Sequence, residues 1–127
     1  MKAAFYLTLE EVLALHAVLI ARHGGAAGVR DRGLVESALA RARSGYYESL
    51  SEQAAALLQS FATNHAFVDG NKRSAFVVSL LFLARNGRRI AVERENGIET
   101  FLALAAGELS EDELADWFRR HLAENEG

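Results

Sequence analysis

Apolar residues recur along this chain with the spacing of one helix face after another. Thr8-Leu9-Glu10-Glu11 has the form of a capping box, in which Thr8 and Glu11 satisfy each other's free backbone N–H groups. The stripe that follows, Val12, Leu13, His16, Leu19 and Ile20, predicts an amphipathic helix that Gly24-Gly25 ends. Asp31 is placed to cap a second helix carrying Leu34, Val35, Ala38 and Leu39. Ser44-Gly45-Tyr46-Tyr47 reads as a loop or short hairpin, and Ser51 as the cap of a third helix burying Ala55, Leu58 and Ala62. A further helix is expected over about 71–86, closed by Asn86-Gly87. It is apolar nearly all round (Ala75, Phe76, Val77, Val78, Leu80 to Leu83), the pattern of a helix at the centre of a fold. Ile90-Ala91-Val92 suggests a short extended piece, and caps near Asn96 and at Ser110 open two last helices. The expectation is an all-α domain over 1–127, about six helices around the central one.

Composition supports this without redirecting it. The 127 residues suit one domain, 50% hydrophobic and 24% charged, with no proline to break a helix. The absence of cysteine excludes disulfides, thiolate metal sites and cysteine nucleophiles. The net charge of −3 argues against a general nucleic-acid binder. The longest apolar run, 75–84, is too short to cross a bilayer, and residues 1–6 lack the apolar core of a signal peptide. A cytoplasmic location is therefore expected, with no membrane partner.

Candidate chemistry concentrates in residues 65–73, His-Ala-Phe-Val-Asp-Gly-Asn-Lys-Arg, between two apolar helices. A helix start exposes unpaired N–H groups and the positive end of the helix dipole, which suits phosphate. Gly70 lets a ligand approach the backbone and can offer its own N–H; Asn71 can donate a side-chain hydrogen bond; Lys72 and Arg73 add positive charge. Asp69 is a hard oxygen ligand suited to Mg²⁺, and His65 can take a proton from an attacking hydroxyl. The plainer alternative is an ordinary helix start with a solvated basic turn. Two cations in a first turn oppose the dipole, however, and ask for an anion in compensation. His16 on the first apolar stripe reads as structural, and no pair of histidines has zinc-site spacing.

These residues resemble the Fic/Doc (Fido) family, whose pattern runs His-x-Phe-x-[Asp/Glu]-Gly-Asn-Gly-Arg-x-x-Arg. The match is at His65, Phe67, Asp69, Gly70, Asn71 and Arg73. Lys72 stands for the second Gly and Phe76 for the last Arg, which are the departures of the Doc, or death-on-curing, branch. Segments 9–16, 24–25, 80–87 and 107–110 look Doc-like as well.

The resemblance implies the Fic/Doc fold and the toxin of a toxin–antitoxin pair. Its activity would be an ATP- and Mg²⁺-dependent protein kinase that passes the γ-phosphate to a threonine of elongation factor Tu and stops translation. His65 is then the general base, Asp69 the Mg²⁺ ligand, and Gly70, Asn71, Lys72 and Arg73 the phosphate holders. Tyr46 and Tyr47 fall where the family places a flap for the target segment. Residues 110–114 do not match the family's inhibitory-helix motif, so restraint would come from a separate Phd-type antitoxin. The competing readings are transfer of AMP or another NMP to a protein hydroxyl, and a silent binding module.

Overall fold

The computed structural model describes residues 4–124, without the side chain of residue 105; residues 1–3 and 125–127 of the expected domain, and with them part of the N-terminus read above, lie outside the described residues. Six helices run through it: α1 (Leu9–His23), α2 (Arg32–Ala42), α3 (Leu50–Thr63), α4 (Asn71–Arg85), α5 (Arg94–Ala105) and α6 (Glu111–His121). Two three-residue strands, β1 (Arg88–Ile90) and β2 (Leu122–Glu124), pair antiparallel with Ile90 opposite Leu122. The all-α expectation holds, with this ribbon added. No helix is long and apolar enough to cross a membrane among the described residues.

The caps act as the side chains suggested. Thr8 and Glu11 close a capping box on α1, Ser110 and Glu113 do the same on α6, and the Asp31 carboxylate accepts from Leu34 N–H at α2. Two boundaries move. Ser49, rather than Ser51, caps α3, and Ser51 is buried inside it. α5 begins at Arg94, which places Asn96 within the helix, where its Oδ1 accepts from Trp117 Nε1 at 3.1 Å.

α3 and α4 form the centre together. α3 packs against α2, α4 and α6 and buries Ala54, Ala55, Leu58 and Phe61 completely. α4 buries Ala75, Val78, Phe82 and Leu83, while Phe76, Val77, Leu80 and Leu81 are only partly covered. α1 lies across α4 and α2. The antiparallel α3–α4 pair is joined by the short connection 64–70, so the chemically dense segment sits at one end of the central pair.

Residues 44–48 form a turn with no strand, so the hairpin is absent there. Tyr47 is drawn into the core: its Oη donates to Glu111 Oε2 at 3.2 Å, and its ring lies 5.3 Å from the Arg41 guanidinium. Burial, then the Glu111 charge, push its hydroxyl pKa up. Tyr46 is 81% exposed. Both stand at the start of α3, and His65 follows its end. At ~1.5 Å per residue the two ends of α3 lie roughly 20 Å apart.

Candidate active site at the α3–α4 connection

α4 begins without a side-chain cap and without an acidic residue in its first turn, in contrast to α1, α3 and α6. Its N-cap is Gly70 at φ +73. A Cβ there would lie 3.1 Å from Ile20 Cδ1, so glycine serves both the turn and the packing of α1. The free N–H groups and dipole of this helix end open into a cleft of about 420 Å³. His65, Asp69, Gly70, Asn71, Lys72, Arg73 and Phe101 line it. Every loop residue given a chemical role from the sequence therefore lines one cleft.

Two of these residues also hydrogen-bond within the loop. The Asn71 amide closes the loop on itself: Oδ1 accepts from Phe67 N–H and Nδ2 donates to Phe67 carbonyl, both at 3.0 Å. One amide hydrogen and the backbone N–H are what remain for a ligand. The Gly70 N–H is occupied too, donating to Asp69 Oδ1 at 2.8 Å. The first turn of α4 lines the cleft with Lys72 and Arg73, whose side chains are exposed.

Asp69 is exposed, and its second oxygen accepts from Ala26 N–H at 3.1 Å. That bond, then the one from Gly70, holds its carboxyl below the usual carboxylate range, so it is ionised at neutral pH. Among the described residues no three His, Asp or Glu side chains cluster as metal ligands. Mg²⁺ nevertheless fits the donor set, because it is bound through one or two carboxylates with waters and substrate phosphates completing the shell. Asp69 offers one such carboxylate beside a phosphate-friendly helix end.

His65 is exposed and has φ +55, the one non-glycine residue at positive φ among those described. The left-handed region costs a non-glycine residue ~1–2 kcal/mol. It follows Asn64, the C-cap of α3, where a glycine would commonly stand. In that place, just off the end of α3, His65 lines the cleft.

Two supporting elements were not legible as site residues. His16 is 3% exposed, its ring stacked on Phe67 at 3.9 Å, and its Nε2 donates to the Asp69 carbonyl at 2.8 Å. The polar residue on an apolar stripe was the available signal, and the hydrogen-bonded structural reading of it is what the geometry displays. The segment 24–30 had no signal beyond its glycines. It lies along the loop, with Val29 bridged antiparallel to Phe67 and Val68 N–H donating to Gly28 carbonyl at 3.1 Å.

The model of the Fic/DOC family matches residues 6–83. The chain belongs to this family. It is 40% identical over 119 residues to "Protein kinase doc" of Escherichia phage P1, covering 91% of this chain and 94% of that one. It is 43% identical over 93 residues to "Toxin Doc" of Mycolicibacterium smegmatis, strain ATCC 700084 / mc(2)155, covering 69% of each. The Fic/DOC match contains the whole connection between α3 and α4, together with the α1 and 24–31 residues that brace it.

Proposed function

We propose that this chain is a Doc-type toxin, a protein kinase that transfers the γ-phosphate of ATP to a serine or threonine hydroxyl of a protein. The observation that carries the reading is one cleft holding an exposed histidine, an ionised aspartate and an uncapped helix start with two cations. The likeness to a relative named a protein kinase, over nearly all of both chains, supports it.

In the proposed reaction His65 takes the proton from the attacking hydroxyl. The hydroxyl oxygen bonds to the γ-phosphorus, the bond to the β–γ bridging oxygen breaks, and ADP leaves. The α4 N-terminus, Lys72 and Arg73 face the charge that builds on the phosphoryl oxygens. Asp69 would hold Mg²⁺, which when bound neutralises phosphate charge. Gly70 and Asn71 shape the loop, and Asn71 adds its remaining N–H groups. Arg73 and Phe101 also line a neighbouring apolar cavity of about 440 Å³ between α4 and α5, large enough for further parts of a nucleotide. Phe76, in place of a second arginine, lines that cavity and meets Phe101 edge-on at 5.6 Å. An apolar wall there removes one anion clamp, which favours a different seating of the triphosphate from that of AMP transferases. Elongation factor Tu as substrate and a Phd-like antitoxin as partner, both acting in the cytoplasm, complete the proposal.

The test is incubation of the protein with Mg²⁺ and bacterial extract, once with γ-labelled and once with α-labelled ATP, beside His65→Ala. Label from the γ position on one extract protein, lost in His65→Ala, is expected. Label from the α position would establish AMP transfer and overturn the reading of Lys72 and Phe76. Wild-type transfer by His65→Ala would remove the base assignment.

A further inference from the structure

We propose that Arg30 is a positioning residue for His65: its guanidinium holds the histidine backbone in the left-handed conformation that aims the ring into the cleft. The proposal rests on the proposed role of His65 for its catalytic consequence and on geometry alone for the conformation. Arg30 reaches the connection from 35 residues away in sequence. Its Nε donates to the His65 carbonyl at 2.5 Å and its Nη2 to the Asn64 carbonyl at 3.2 Å. Its own backbone N–H, at 2.8 Å, and that of Asp31, at 3.0 Å, both donate to the Ala66 carbonyl. The carbonyls on both sides of His65, and the next one, are thus engaged by two adjacent residues.

That pattern restrains the torsions that matter. The peptide planes before and after His65 are each tied to one arm of the same planar group, so rotation about φ or ψ of His65 breaks at least one bond. Asn64 is anchored separately, donating from Nδ2 to Leu34 carbonyl at 3.2 Å and accepting from Ala66 N–H at 3.0 Å. The Asn64 carbonyl, at the C-cap of α3, also lies at the negative end of the helix dipole, which a guanidinium complements. Lysine could reach one carbonyl but lacks the fork for two. Without the clamp His65 loses what offsets its unfavourable φ and relaxes toward the ordinary regions.

Arg30→Met, which keeps the stem, and Arg30→Lys test this, each first checked for thermal unfolding near that of the unaltered chain. Two readouts are taken: kcat and KM for ATP, and the backbone HN–Hα coupling and carbon shifts of His65 by NMR. In Arg30→Met, kcat is expected to fall about ten- to a hundredfold, the scale of a misplaced reacting group, with KM for ATP within about twofold. The His65 signals leave the left-handed range, and Arg30→Lys falls between. Unchanged His65 signals overturn the proposal, whatever the rate does, and so does a wild-type kcat with shifted signals. If no form of the chain transfers phosphate, the kinase reading fails on its own, and the NMR signals still decide whether Arg30 sets His65.

Discussion

Gly25 and Asp69 approach so closely that a Cβ on the glycine would lie 2.8 Å from Asp69 Oδ2, and Gly25 itself has φ +110. Any side chain there meets a steric and a torsional objection together. Gly25→Ala is expected to lose roughly 1–3 kcal/mol in urea unfolding, as other strained positions do. It is also expected to displace the carboxylate assigned to Mg²⁺, so the Mg²⁺ concentration giving half-maximal transfer should rise. Wild-type Mg²⁺ dependence would show that Asp69 does not need its present position. Gly24-Gly25 is visible in the sequence as a helix end, yet the reason for the second glycine is not. It lies in a residue 44 positions away, which no local pattern reveals.

Between elements, an acid-sensitive contact joins α1 to α4. The Arg85 guanidinium bonds the Glu11 carboxylate, and this bond, with the Thr8 backbone N–H next, takes Glu11 from 4.5 to about 2. Because the folded value is the lower one, the folded state binds fewer protons. The contribution is present above pH 4.5 and is lost as pH falls toward about 2. Glu11→Gln is therefore expected to flatten the decline of stability across that window while lowering stability at pH 7. An unaltered slope between pH 4.5 and 2 would mean that the pair carries no pH dependence. The α6 capping box offers a simpler check: Ser110→Ala should cost about 1 kcal/mol in denaturant unfolding. Caps of this kind were readable because both partners lie within four residues. The Ser51 cap was misplaced by one polar residue, since Ser49 and Ser51 look alike until burial separates them. The hairpin expected at Tyr46 and Tyr47 is absent, and a Gly/Ser loop with two aromatics does not say which of them enters the core.

Across the whole molecule, one ring ties core to site. Phe67 is 1% exposed, lies between His16 at 3.9 Å and Phe61 at 6.3 Å, and its backbone holds both Asn71 and Val29. Phe67→Ala is expected to cost ~3–5 kcal/mol, a large share of the ~5–15 kcal/mol that holds a domain together, and to lower Tm accordingly. A shift in Tm of a degree or less would place the ring outside the core. The helices, their order, most of their caps and the position of the dense segment between two apolar helices follow from local spacing. Helical periodicity and capping are properties of neighbours in sequence, and so is the match of residues 65–73 to the Fic/Doc pattern. The tertiary structure decided how the groups in that segment are engaged and where they lie. It engaged Gly70 N–H and most of the Asn71 amide inside the loop, placed Lys72, Arg73 and the α4 N-terminus along the cleft, and brought His16, Ala26 and Arg30 against the loop. Those hydrogen bonds join residues more than 30 positions apart or depend on a fixed backbone turn, so they exist only once α1, the 24–31 segment and the α3–α4 connection have packed together.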